Sequence, residues 1–379
     1  MATESPTLKQ TTEEPFSSNE MRLDARQWFV ALAIVALAMW LTPPLWERVE
    51  QFNTGPDYRM PYSLSKDYWL YSRRLCQVCD PNRVIVLGDS VVWGEYVLRD
   101  GTLPHFLDRE AGEQNHFINA GVNGMFPLAL EGLIEHYAPS LHGQRVILHW
   151  NALWMTSPKT DLSTDEEEPF NHSRLVPQFS PRIPCYKADA NERLSALVEQ
   201  RLDFVSWVGH LQNAYFGQKG ILNWTLENPI GNPLLQFRWR VPSAVRDDAK
   251  RGPRSPRHKP WSKDGEGKTH FEWVAPGSSL QWGTFQRLVG TLRERGNDVL
   301  VVIGPFNEHL MAKETRPAYQ KLHEEVAAWF AQHEVPYLLP ELLPSALYAD
   351  ASHPLTEGYE LLAKRIHGDV KFQKWLQRK

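Results

Sequence analysis

Val84-Ile85-Val86-Leu87-Gly88-Asp89-Ser90 is the stretch on which the reading of this chain turns. Four apolar residues, three of them β-branched, break at a glycine and deliver a serine. A short continuous apolar run closed by a turn residue is the pattern of a strand buried on both faces of a parallel sheet. The carboxyl edge of such a sheet is where open α/β folds keep their chemistry. Ser90 is thereby the leading candidate for a nucleophile.

Further strands read over 83–87, 116–120, 145–150, 298–303 and 335–339, with helical patterns over 102–112, 126–138, 280–295, 315–333 and 356–376. Alternating β and α signals predict a parallel sheet covered by helices on both faces, a three-layer α/β/α arrangement of flavodoxin-like, doubly wound order. The gap between the third and fourth strands is too long for one crossover. Residues 156–279 carry an acidic run at 165–168, many prolines and a polar, net-basic stretch over 246–268. They read as an inserted subdomain or lid. Within it, Leu194, Leu197, Val198, Leu202, Val205 and Val208 are spaced for one face of a helix over 191–215.

The chain has 379 residues and a net charge of -4. No basic block dominates, which removes the electrostatic ground for a nucleic-acid partner. Residues 27–46, QWFVALAIVALAMWLTPPLW, hold no charge, and a helix of that length reaches about 30 Å, enough for a bilayer core. Trp28, Trp40 and Trp46 sit near its ends, as in aromatic belts. A cleaved signal peptide is the competing reading. Against it stand the bulky stretch from Trp40 to Trp46, which offers no small-residue cleavage site, and the long polar segment that precedes the run. The expectation is a transmembrane anchor over 27–46, preceded by a disordered cytoplasmic tail over 1–26 and followed by a connecting segment over 47–82. Arg22 and Arg26 on the near side assign the N-terminus to the cytoplasm, so everything from about residue 47 is expected outside it, in the periplasm if the host is a bacterium. Cys76 and Cys79 form a C-x-x-C without a second ligand pair and read as a local disulfide or two plain thiols. No metal or cofactor is called for.

A serine hydroxyl needs a base. Of 14 histidines, His353 lies between the last predicted strand and the last predicted helix, at the same sheet edge as Ser90. Asp350, three residues earlier, can orient its imidazole. An oxyanion also needs donors. The second strand runs into Asn119-Ala120-Gly121-Val122-Asn123-Gly124, where Gly121 or Gly124 lets a backbone N–H approach a ligand closely, and the third runs into Asn151. Asn307 and His309, after the fourth strand, are candidate substrate contacts. Trp93 is a third, with Trp150 and Trp154 beside it, although packing is the default for a tryptophan.

The order Gly88-Asp89-Ser90, Gly124, Asn151, Asp350-x-x-His353 resembles the SGNH (GDSL-type) hydrolase superfamily. The likeness covers 83–155 and 280–379. It departs at the third block, where His149-Trp150-Asn151-Ala152 stands for the usual G-x-N-D. The resemblance implies Ser90 as nucleophile, His353 as base, Asp350 as its partner, and an oxyanion hole made by the Ser90 and Gly124 N–H groups and the Asn151 side chain. It implies a membrane-anchored serine esterase or acyltransferase. The envelope location adds an O-acylated carbohydrate as substrate and, if the reaction is transfer, a membrane partner that supplies the acyl group. The alternative is a non-catalytic envelope scaffold that keeps the fold and binds glycan or a partner protein.

Overall fold

The computed structural model describes residues 23–378 apart from 53, 56, 115, 232, 236–238 and 242–268. Of the tail expected over 1–26, residues 1–22 lie outside the described residues, as does the basic stretch at 246–268, while Ala25 and Arg26 open the first helix. Five strands form one parallel sheet: β1 Val84–Leu87, β2 Phe117–Asn119, β3 Arg145–Trp150, β4 Asp298–Ile303 and β5 Tyr337–Leu338, in the order β2-β1-β3-β4-β5. The last strand is shorter than its pattern because Pro336 and Pro340 bound it and proline cannot donate to a ladder. The chain order reverses at β1, so the edge beyond β1 and β3 opens a crevice between loops that diverge to either side.

Twelve helices surround the sheet and the insert among the described residues: α1 Ala25–Val49, α2 Tyr68–Val78, α3 Ser90–Trp93, α4 Leu103–Ala111, α5 Pro127–Tyr137, α6 Ala190–Arg201, α7 Asp203–Ala214, α8 Ile221–Glu227, α9 Leu280–Glu294, α10 Arg316–Gln332, α11 Thr356–His367 and α12 Val370–Leu376. Alternation along the strands sorts them into layers. Ile85, Leu87, Val146, Leu148, Val299 and Val301 pack with α2, α5, α9 and α10. Val84, Val86, Ile147, Leu300 and Val302 pack with α4, α11 and α12.

Three elements depart from the sequence expectation. The segment read as a connector contains α2, capped by Asp67, whose Oδ1 accepts from Leu70 N–H at 3.0 Å. Leu70, Tyr71 and Leu75 of α2 are core residues. The helix expected over 356–376 splits at Gly368, because Asp369 accepts from Lys371 N–H (2.6 Å) and starts α12. The helix expected over 191–215 breaks at Leu202, whose backbone is extended, and Asp203 begins α7 where an acid suits the helix dipole. Cys76, Cys79 and Cys185 are free thiols.

Helix α1 is long and apolar enough to cross a membrane. It continues through Pro43 and Pro44, although each withdraws an N–H from the helix ladder. Its far end is built into the domain. Trp46 packs edge-on against Trp207 and Tyr215 and lies 4.8 Å from the Trp239 ring. Just past it, Glu50 meets a buried charge group. His210 bridges Asp67 Oδ2 (2.7 Å) and Glu50 Oε1 (2.9 Å), while Arg73 and the Tyr215 hydroxyl each donate to Glu50 at 2.5 Å. Burial pulls the His210 imidazole down, but the two carboxylates outweigh it and raise its pKa to about 9.

A histidine whose pKa rises on folding stabilises the fold fully below its unfolded value near 6.5, and that contribution is lost as pH climbs through 9. Thermal unfolding followed by tryptophan fluorescence is therefore expected to show stability falling between these limits. His210→Gln removes the charge that Asp67 and Glu50 both face, leaving Arg73 on Glu50, and should cost about 3–5 kcal/mol at neutral pH, while flattening the alkaline decline.

Candidate active site

Ser90 opens α3 directly after β1, and Asp89 is the cap of that single turn, its Oδ1 accepting from Val91 N–H at 2.9 Å. Such a tight exit works only with glycine before it. A Cβ on Gly88 would meet Val92 Cγ2 at 2.6 Å and His149 Cβ at 2.8 Å. The carbonyls of the turn are then held one by one: Val91 by the Tyr359 hydroxyl (2.8 Å), Val92 by Asn119 Nδ2 (3.0 Å), Gly94 and Val97 by the Arg59 guanidinium (2.5 and 2.9 Å). Ser90 thus sits on a turn with little freedom to shift.

His353 reaches the same point from the loop between β5 and α11. Its Nε2 lies 2.8 Å from Ser90 Oγ, and its Nδ1 lies 2.8 Å from each oxygen of Asp350. Ionised Asp350 only accepts, so the imidazole proton belongs on Nδ1 and the Nε2 lone pair faces the serine hydroxyl. Asp350 Oδ1 also accepts the backbone N–H groups of Ser352 and His353, both at 2.9 Å. Burial pushes the Asp350 carboxyl up, but His353 and these donors outweigh it and hold the pKa below the usual carboxylate value. Burial likewise pulls His353 down. The hydrogen bond and charge of Asp350, with the charges of Asp89 and Glu95, reverse this and raise its pKa above 6.5. Tyr96 presents its ring edge-on to His353 at 5.4 Å.

Asn151 is buried at the end of β3. Its amide N–H donates to Asp89 Oδ2 (2.9 Å) and its Oδ1 accepts from Leu153 N–H (2.9 Å). Trp154 Nε1 donates to the same Asp89 oxygen at 3.1 Å. His149 Nδ1 comes within 3.1 Å of Asp89 Oδ1, but its N–H is out of line, so the two are close without a hydrogen bond. Burial pushes Asp89 up, yet the His149 ring, the Asn151 amide and Val91 N–H together keep its pKa low.

Gly124 has a φ of +71°, a region that favours glycine, and a Cβ there would lie 2.5 Å from Asn171 Nδ2. It forms one wall of a cavity of about 310 Å³ with Phe126, Leu128, Leu162, Phe170 and Val176. The insert is fixed at this wall. His172 Nε2 donates to the Asn123 carbonyl (2.8 Å), and its Nδ1 accepts from the Tyr68 hydroxyl (3.0 Å).

The other sequence candidates have structural contacts. Asn307 is buried, and its Nδ2 donates to the Asp350 carbonyl at 3.0 Å while its N–H donates to the Ala351 carbonyl at 2.8 Å. It fastens the loop that carries the acid. His309 Nε2 bonds to the Leu343 carbonyl at 3.0 Å. Trp93 is buried, donates from Nε1 to the Met60 carbonyl (2.7 Å) and lies under the Arg59 guanidinium at 4.1 Å. Trp150 and Trp154 are buried too. Sequence reasoning missed Asp89 as the holder of Asn151, and Arg59 and Tyr359 as clamps on the serine turn. Asp89 was visible in the Gly-Asp-Ser run. The other two sit in no recognisable pattern. Among the described residues no group of three His, Cys, Asp or Glu side chains is arranged to hold a metal ion.

No protein-family model matches the chain, and the curated proteins compared with it gave no significant match. The geometry alone therefore argues for the site. Asp350→Asn removes the charge that raises His353. Its imidazole should then titrate at lower pH, read from the ring C–H resonances by NMR, with the fold retained.

Proposed function

We propose that the chain is a membrane-anchored serine esterase or acyltransferase of the SGNH type, with a flavodoxin-like sheet and a catalytic triad of Ser90, His353 and Asp350. The observation that carries this reading is the unbroken line from Ser90 Oγ through His353 to Asp350, each contact 2.8 Å, at the carboxyl edge of a parallel sheet. The strand order 2-1-3-4-5 supports the flavodoxin-like assignment, since ligands in that arrangement bind where the order reverses next to β1.

In this mechanism Ser90 Oγ attacks the ester carbonyl and its proton moves to His353 Nε2. Asp350 stabilises the imidazolium and keeps the ring in the required tautomer. The carbonyl oxygen, now an anion, takes hydrogen bonds from Ser90 N–H, Gly124 N–H and the Asn151 amide. Asn151 spends one amide proton on Asp89, which aligns the group and leaves its second proton for the oxyanion. The C–O bond to the leaving alcohol breaks as the alkoxide takes the proton from Nε2. Water or a sugar hydroxyl then attacks the acyl-enzyme with His353 again as base. Hydrolysis and transfer share every one of these groups, and the products formed from an acetylated glycan with a sugar acceptor distinguish them. The apolar helix and the Arg22 and Arg26 flank support a domain outside the cytoplasm, where O-acylated envelope carbohydrate is the substrate class within reach.

Two measurements test the reading. A fluorophosphonate probe should add its mass to Ser90 and fail to label Ser90→Ala; a folded wild-type protein that stays unlabelled would favour the scaffold role instead. Ester hydrolysis should rise with pH through a pKa above 6.5, because only neutral His353 can take the proton.

A further inference from the structure

Helix α1 does not leave the domain cleanly. A groove of about 640 Å³ runs between it and the corner where α6 turns into α7, with Ala36, Met39 and Trp40 on one wall and Arg201, Leu202 and Phe204 on the other. Trp46 marks the point where α1 enters the aromatic cluster of the domain, and Ala36 lies ten residues before it, about 15 Å back along the helix. The α6–α7 corner therefore reaches back beside the apolar part of α1.

The surface that continues from the corner is apolar. Leu194 and Val198, one turn apart on α6, and Leu202, the extended residue that ends it, are 53%, 44% and 46% exposed, while Ala196 and Glu199 of α6 face the domain. Trp40, across the groove, is 73% exposed. Scattered exposed leucines need no explanation, but a stripe that runs into the exposed face of an apolar helix forms one surface with it. Polar groups define its depth. Arg201, Glu47 and Asp203 line the same groove. Carboxylates of this kind are expensive in the hydrocarbon core but suit the headgroup boundary, where an arginine can also reach phosphate.

We propose that the α6–α7 corner is a second membrane contact, in which Val198, Leu202 and Phe204 enter the interfacial layer of the bilayer that α1 crosses. The proposal rests on the reading of α1 as a membrane span. Lipid is the occupant because the stripe is continuous with the outward face of that span, so a bilayer that surrounds Trp40 also meets Leu202. The contact has a consequence for the candidate site. Helix α6 is tied to the segment beside Gly124 by the Arg174–Glu199 ion pair and by Arg193, which donates to the Gln178 carbonyl. Immersion of the corner therefore fixes the height of the Gly124 cavity above the membrane.

The test uses the full chain with Cys76 and Cys79 replaced by serine, buried Cys185 retained, and single probe sites at Leu202→Cys, Val198→Cys and Leu194→Cys. Leu32→Cys on the span and Lys321→Cys on α10 serve as controls. Each variant carries a nitrobenzoxadiazole label and is reconstituted in phosphatidylcholine vesicles containing nitroxide-labelled lipid, after circular dichroism shows the parent fold. The Leu202 probe is expected to lose most of its emission to nitroxide near the headgroup and less to nitroxide at the chain end. Val198 should follow more weakly and Leu194 least. Leu32 should respond to the deep quencher, and Lys321 to neither. A Leu202 probe as unresponsive as Lys321, beside a quenched Leu32, overturns the proposal while leaving the anchor intact. An unquenched Leu32 overturns the membrane reading and the proposal together. A Leu202 probe shielded from aqueous iodide yet untouched by either nitroxide means that protein covers the corner, which also overturns it.

Discussion

The carboxylate of Asp350 is the constraint on which the site depends. It receives the His353 ring and two backbone N–H groups from its own loop. A carboxylate with that many donors stays ionised, and an ionised carboxylate decides which imidazole nitrogen carries the proton. The free lone pair then has one direction, toward Ser90. Asn307 holds the same loop from behind through the Asp350 and Ala351 carbonyls, and the Tyr348 hydroxyl ties it to the Phe306 carbonyl. The loop after β4 thus supports the loop that carries Asp350 and His353.

Two residues 263 positions apart meet because of how α11 returns. Strand β5 lies at the sheet edge, three positions from β1. The chain after β5 crosses back over the carboxyl edge, and α11 packs in the layer that already holds α4 and the Val84 and Val86 face of β1. Tyr359 completes the junction: buried on α11, it donates to Val91, one residue past the serine. Packing of one layer therefore sets a distance between atoms on two separate loops, and the hydrogen bond at the end is a consequence of helix placement.

The elements legible in the sequence are those with strong local signals. The four-residue apolar run before Gly88, the matching runs at 145–150 and 298–303, and the histidine between the last strand and helix all appear where their patterns put them. Helix α2 was not legible because its core side is built from Tyr71, Leu75 and Val78 among two arginines, and Arg73 is buried through Glu47 and Glu50, partners distant in sequence. The role of Asn307 was hidden for a similar reason. An asparagine after a strand looks the same whether it faces a ligand or a backbone carbonyl, and only the fold of residues 349–353 decides between them. Trp93 illustrates the converse: its nearness to Ser90 in sequence is real, but Arg59 and the Met60 carbonyl hold its ring within the core.

The boundary of the insert is where pattern reading differs most from the physics. Composition changes at residue 156, yet the first part of the insert is not an appendage. Asp161 is buried and accepts from the N–H groups of Leu280 (3.0 Å) and Gln281 (3.1 Å), so it caps α9, a helix more than a hundred residues later. Gly132 on α5 leaves room for the Leu175 carbonyl, which would lie 1.9 Å from a Cβ at that position. Leu162, Leu175 and Val176 belong to the same core as the sheet. The segment that walls the cavity beside Gly124 is therefore as firmly placed as the strands, and a side chain such as Val176 or Phe170 that faces that cavity cannot shift without disturbing the packing behind it. Whatever fits there is selected by residues in the least patterned part of the chain, since a packed loop carries its information in contacts rather than in periodicity.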